Sequence, residues 1–176
     1  MQGKVHVAVG VTTVAYLVYK HPMGFDFNGT TILPVVALLT AAAGSYAPDI
    51  DMGTTHAGRK HQLTSKVVNK VGGGHRGITH TLLFPAIIFG LIYFIQNYLS
   101  SYAFLASLIV SLLYGFEIGW VLHIFADLFN GKGCPVLWPL MKGKVHIMDL
   151  PSKGFGAWCF YFVYLVVIII YALEVT

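Results

Sequence analysis

Charge is scarce in this chain: Asp, Glu, Lys and Arg make up 10% of its 176 residues, where soluble domains carry roughly a quarter. That excludes an ordinary soluble surface, and a hydrophobic content of 56% points to lipid as the solvent. Cysteine is nearly absent. Cys134 and Cys159 stand apart, with no CxxC or Cys/His ribbon spacing, which excludes a disulfide framework and a structural zinc knuckle. A cleavable leader is not expected, because the first apolar stretch begins almost at Met1, carries His6 and lacks a small-residue cleavage site after it. Internal repeats and low-complexity tracts are also missing, so one domain over residues 1–176 is expected.

What is present is a series of five apolar segments, at about 5–19, 31–47, 79–98, 102–129 and 155–173, punctuated by Gly, Pro and charge clusters. A spanning helix needs about 20 apolar residues. The last three segments reach that length, whereas the first two are short, so one of them is expected to lie partly buried within the bundle. The expected fold class is all-α, a polytopic membrane bundle of about five helices.

On an alternating path through such a bundle, Lys4, the Arg59–Lys60–Lys66–Lys70–Arg76 series and Lys132, Lys142, Lys144 and Lys153 share one face, ten of the eleven cations. The positive-inside rule makes that face cytoplasmic, with the N-terminus inside and the C-terminus outside. Two long inner loops follow, near 48–78 and 130–154. The stretch around Lys66, Val67, Val68, Lys70 and Val71 reads either as an amphipathic piece lying on anionic headgroups or as a solvated basic loop.

The same path sorts the candidate ligands. His6 opens the first helix, Asp49 and Asp51 close the second, His75 and His80 open the third, and His123 and Asp127 close the fourth. All seven fall at the cytoplasmic ends. His123 and Asp127 are four apart, so their side chains point the same way one turn apart. The pairing gains weight from its position, since an ionisable pair at the end of a membrane helix is costly and usually functional. Pro48 stops the second helix and places Asp49 and Asp51 in a tight turn, where one acid can ligate while the other orients a histidine. Imidazole with carboxylate suits a divalent metal, zinc first, with manganese or iron as alternatives. Seven donors exceed the needs of one tetrahedral ion, so two ions are expected, with Asp127 as a bridge.

The motifs GKVHVAVG, PDID, GHRGITHTLL and GWVLHIFADLFNGKGCPVLWP together resemble those of bacterial inner-membrane metal-dependent hydrolases described as LexA-binding membrane proteins. That family is distantly similar to the helical zinc-dependent phospholipase C and single-strand nuclease group. The resemblance covers roughly residues 3–140. It implies metal ligation by His6, an aspartate of Asp49 and Asp51, His75 or His80, His123 and Asp127. The chain departs from the family at Asn130, where Thr is usual, and at Met52-Gly53-Thr54, where a His-Pro-x-Ser-like sequence is usual.

The expected function is hydrolysis of a phosphoester, a lipid or lipid-linked phosphate, by metal-activated water at the cytoplasmic surface. Arg76, with its planar fork, is the candidate for holding a phosphate oxygen, and Asp49, if not a ligand, the candidate general base. Two alternatives stand beside it: a membrane anchor that binds a regulatory protein and carries a structural metal, and a nuclease. Membrane lipids are the expected partners, a protein partner is open, and nucleic acid is not expected. Glu117 and His146 are left outside the site. His56 and His61 read as interfacial, His21 as an outer-side residue, and Trp138 as an interfacial anchor or the wall of a substrate groove.

Overall fold

The computed structural model describes residues 3–71, 76–141, 143–151 and 154–174, with the side chains of residues 56 and 57 left aside. Among these residues the chain forms seven α-helices and one small antiparallel hairpin. The helices are α1 (Gly3–Lys20), α2 (Pro34–Tyr46), α3 (His56–Lys60), α4 (Gln62–Val71), α5 (Leu83–Tyr98), α6 (Ala103–Leu128) and α7 (Phe155–Glu174). Strands β1 (Phe25–Phe27) and β2 (Thr30–Ile32) pair with Phe25 opposite Ile32. Short 3-10 turns occupy Ala47–Asp51 and Ile78–His80.

Each of the five apolar segments contains one helix, but the expectation of about five helices is corrected by α3 and α4, which fold within the basic loop after α2. Two helices, α6 and α7, are long and apolar enough to cross a membrane. The hairpin is the second addition. Asn28 and Gly29 both adopt positive φ, 51° and 78°, the pairing that lets a two-residue turn match the twist of its strands, and Asp26 Oδ1 accepts from the Gly29 N–H. Here Thr31 and Ile32 belong to a strand, and α2 begins only at Pro34, where a proline's missing N–H costs nothing.

The third segment also starts later than expected. Ile78–His80 is a 3-10 turn, and Thr81, extended at φ −105°, separates it from α5. The Thr81 hydroxyl donates to the Ile78 carbonyl and accepts from the Leu83 N–H, and Pro85 stands in the first turn of α5. Proline is tolerated there and not further in. His80 therefore sits on a turn ahead of the helix.

The packing centre is the face shared by α2 and α6. Ala37 and Ala41 on α2 meet Gly115 and Gly119 on α6 so closely that a Cβ on Gly115 would fall 2.0 Å from the Ala37 carbonyl oxygen, and one on Gly119 2.2 Å from that of Ala41. Small residues four apart permit this backbone approach where lipid supplies no hydrophobic drive between helices. Val14 and Ile32 join Ala37, Ala41, Ile92 and Val110 in the apolar core. A second cluster, Val5, Val9 and Ala157, ties α7 to α1, reinforced by a hydrogen bond between Thr12 and the Tyr161 hydroxyl at 3.0 Å and one between Thr13 and the Tyr164 hydroxyl.

Candidate metal centre

Four element ends converge at one end of this bundle. His6 lies in the first turn of α1, Asp49 and Asp51 in the 3-10 turn after α2, His80 in the 3-10 turn before α5, and His123 and Asp127 in the last turns of α6. Donor atoms of His6, His123 and Asp127 all lie within 4.8 Å of one another, and so do those of Asp49, His80 and His123. All five residues are buried. His75 lies outside the described residues.

Each imidazole is aimed by its neighbours. His123 Nδ1 donates to the Ser45 carbonyl oxygen at 2.7 Å. A carbonyl can only accept, so in the neutral ring the proton is on Nδ1 and Nε2 carries a bare lone pair. That lone pair is buried without a hydrogen-bond partner among the described residues and faces Asp49 Oδ1 at 3.7 Å and Asp127 Oδ2 at 3.9 Å. His80 is oriented through Thr79. The Thr79 hydroxyl donates to Asp51 Oδ2 at 2.9 Å, which leaves its oxygen to accept from His80 Nδ1 at 3.1 Å. His80 Nε2 then points toward Asp127 Oδ2 at 3.6 Å and Asp49 Oδ1 at 3.9 Å. His6 stacks on His123 with ring centroids 3.8 Å apart, its Nε2 lying 3.3 Å from Asp127 Oδ1 outside hydrogen-bond geometry.

Lone pairs facing carboxylates in a buried space are reconciled by a proton on the imidazole or by a cation held between them, and the two triads could hold such a cation. The charge count agrees. Asp49, Asp51 and Asp127 contribute three negative charges to the described cluster and Arg76 one positive charge, leaving a deficit of two when the imidazoles are neutral. A divalent ion fits that donor set and that deficit. The two triads have His123 in common, and only its Nε2 is available, so two ions here would divide the remaining donors between them.

Asp51 and Arg76 occupy supporting positions. Asp51 Oδ2 accepts from the Arg76 backbone N–H at 3.0 Å as well as from Thr79, and lies 3.5 Å from His80 Nδ1, behind the ring rather than at its Nε2 edge. Arg76 holds φ at +58°, a left-handed conformation that is unusual without glycine and clusters at functional sites. This turns its N–H onto Asp51 while the guanidinium reaches Asp127 Oδ1 at 2.9 Å and the Gly133 carbonyl at 3.3 Å. Its Nε is buried with no hydrogen-bond partner among the described residues.

Four contributors had no sequence signal of their own or an overlooked one. Ser45 acts through its backbone carbonyl. Trp120 Nε1 donates to the Thr79 carbonyl at 3.0 Å and pins the turn that carries His80. Cys134 Sγ donates toward Asp127 Oδ2 at 4.0 Å, and burial, with the Asp127 charge beside it, pushes its thiol up to about 12. Thr79 was adjacent to a candidate ligand and its hydroxyl was the legible clue. His146 and His61 are exposed and Glu117 is half-buried ten residues before Asp127 on α6, all apart from the cluster. His21 stands beside Phe25 at the hairpin end, and Trp138 lines a cavity.

A buried histidine–aspartate cluster at one end of an apolar helical bundle, with two helices of spanning length, defines a class of helical membrane protein with a metal-type donor set. The particular family follows from comparison: a family model described as YdjM inner membrane protein matches residues 1–175, and the chain belongs to that family. It is 32% identical over 139 residues to the Bacillus subtilis protein YvsG, covering 79% of this chain and 74% of that one. It is 33% identical over 108 residues to the inner membrane protein YdjM of Escherichia coli, and equally to that of Shigella flexneri, covering 61% of this chain. The matched region spans 51% of each of those two relatives. No solved structure matches the chain.

Proposed function

We propose that this protein is a polytopic, metal-dependent hydrolase of a phosphoester, a lipid or lipid-linked phosphate, at the cytoplasmic face of the inner membrane. The observation that carries the reading is the His123 Nε2 lone pair, fixed by the Ser45 carbonyl and facing two carboxylates across a buried gap. His6, His80, His123, Asp49 and Asp127 are the residues that would hold zinc, or manganese or iron, with Asp127 central because its two oxygens face different histidines. A divalent ion supplies Lewis acidity toward a phosphoryl oxygen and a water that ionises near neutral pH.

The chain's own groups divide the rest of the work. Asp49 is the most accessible of the three carboxylates, its side chain 12% exposed against 2% for Asp127 and 1% for Asp51, so where it does not ligate the ion it is the candidate to accept a proton from water entering the site. Asp51, through Thr79, keeps the His80 proton on Nδ1. Arg76 compensates Asp127 and presents its Nε–H to an entering phosphate oxygen.

The near-complete burial of the donors favours a second reading, in which the ion is structural and the protein is an anchor for a regulatory partner. A structural ion is enclosed by protein ligands, while a catalytic one keeps a position for water. The test is elemental analysis of detergent-purified protein and of Asp127→Ala, combined with phosphate release from phospholipids and soluble phosphoesters in zinc or manganese. Bound metal in the wild type, its loss in the variant and metal-dependent release support the hydrolase. Full metal content in the variant ends the site assignment, and bound metal without release from any substrate class transfers the weight to the anchor.

A further inference from the structure

Beside the cluster, a cavity of about 320 Å³ opens between the end of α4, the Ile78–His80 turn and the loop that follows α6. Two cations, Arg76 and Lys144, and four apolar residues, Val71, Ile78, Pro135 and Trp138, line it, with no acid among the lining residues. Arg76 is 5% exposed and belongs to both places: its guanidinium is bound to Asp127, while its buried Nε has no hydrogen-bond partner among the described residues. Lys144 is exposed and makes no ion pair among the described residues. The wall is held in place by the bridge between Cys134 and Val145, whose N–H groups and carbonyls bond reciprocally at 3.0 and 2.8 Å.

The helix that borders this cavity leaves an apolar row uncovered. On α4 Ser65 is the buried residue, and the exposed Asn69 anchors the helix by donating from its side chain to the Asp51 carbonyl at 2.8 Å. Leu63, Val67 and Val71, four apart and so on one face, are 81%, 61% and 80% exposed, with the exposed Lys66 and Lys70 beside them. On the loop that follows α6, Leu137, Leu140 and Met141 are exposed as well, Leu140 at 88%. An apolar ridge flanked by lysines is the pattern of a helix lying at an anionic lipid interface.

We propose that this cavity is the headgroup site of an anionic phospholipid, its phosphate held by Lys144 and the Arg76 Nε–H, its glycerol and upper acyl carbons against Val71, Ile78 and Trp138. The α4 ridge lies among the neighbouring lipids and brings the cavity mouth to headgroup depth. Arg76 joins the lipid phosphate to the metal centre, so the cavity names the substrate class of the proposed hydrolase. The inference rests on that reading for its purpose and is tested by lipid retention, without turnover.

The experiment is native mass spectrometry of the purified full chain titrated with dioleoyl phosphatidic acid, dioleoyl phosphatidylcholine and glycerol 3-phosphate, with metal content measured in parallel. Phosphatidic acid is expected to be retained roughly tenfold better than the other two, an advantage that Lys144→Glu removes and Trp138→Ala weakens, with metal content unchanged in both variants. Equal retention of phosphatidylcholine, or undiminished retention of phosphatidic acid by Lys144→Glu, overturns the headgroup site. Binding of glycerol 3-phosphate as tight as that of the lipid overturns the lipid source in favour of a soluble phosphate. Lys144-dependent retention in a protein that hydrolyses nothing sustains the site and removes the hydrolase; hydrolysis with Lys144-independent retention does the reverse.

Discussion

His123 and Ser45 are joined by a hydrogen bond of 2.7 Å from the imidazole Nδ1 to the main-chain oxygen, and that bond exists because α2 and α6 touch backbone to backbone one turn earlier. Gly119 precedes His123 by four residues, and a Cβ there would lie 2.2 Å from the Ala41 oxygen and 2.7 Å from the Ser45 nitrogen. The helix contact and the tautomer of a candidate ligand are thus one structural fact.

Gly119→Val therefore separates the two helices and releases His123 together. Overpacking of this kind costs about 1–3 kcal/mol, so the thermal midpoint in detergent should fall by several degrees and metal content should drop with it. Gly90→Ala on α5, where a Cβ meets nothing within 4 Å, should leave both unchanged or raise the midpoint slightly, because alanine favours helix by up to about 1 kcal/mol over glycine. Circular dichroism melts with parallel elemental analysis separate the two; an unchanged Gly119→Val protein contradicts the account.

Thr79→Val keeps the shape of the side chain and removes the hydroxyl between Asp51 and His80. Loss of a partner that orients a ligating histidine lowers metal affinity by about 10- to 100-fold. Thr79→Ser should hold affinity near that of the wild type. Competition against a chromogenic chelator gives both values, and equal affinity for all three proteins would show that Thr79 does not orient His80.

Chelation should destabilise the wild type. A ligand at 100 times its dissociation constant contributes about 2.7 kcal/mol to the folded state, so removing the ion lowers the melting midpoint, and restoring zinc returns it. In Asp127→Asn the midpoint should not respond to chelator, since the central carboxylate is gone. A midpoint in the wild type that ignores chelator would argue that no ion couples to the fold.

Cys134 should resist alkylation. It is 0% exposed, and with its thiol pushed up to about 12 by burial and by the Asp127 charge it stays protonated, and thus unreactive, throughout pH 7–9. Cys159 on α7 is exposed. Maleimide labelling of folded protein should modify one thiol per chain, and Cys159→Ser should label only after denaturation. Labelling of folded Cys159→Ser at the rate of an open thiol would place Cys134 at the surface.

The convergence at the candidate site was legible in the order of the residues. Apolar segments of fixed length in an up-and-down path place His6, Asp49, His80, His123 and Asp127 at helix ends of one side, and the packing of α1, α2 and α6 on one another brings those ends together. The hairpin is absent from the sequence reading although Asn28-Gly29 is its local signal, because Thr31 and Ile32 count there toward the second apolar segment. The Gly115/Gly119 contact was missed because a glycine in an apolar run shows its use only when the facing helix is known. Asp51 and Asp49 are equivalent in sequence, and the fold separates them, turning Asp51 behind the His80 ring and leaving Asp49 at the open edge.

Composition and periodicity by themselves determined that this chain is mostly helical, that it is suited to lipid and that His6, Asp49, Asp51, His80, His123 and Asp127 fall at helix ends of one side, because burial of apolar length and the scarcity of charge admit few other arrangements. Only the tertiary structure decided which nitrogen of His80 and of His123 faces the carboxylates, which aspartate supports and which is accessible, and that α4 turns its apolar row outward beside a cationic cavity. Those properties belong to contacts between residues far apart in the chain, and hydrogen-bond direction and exposure are set there.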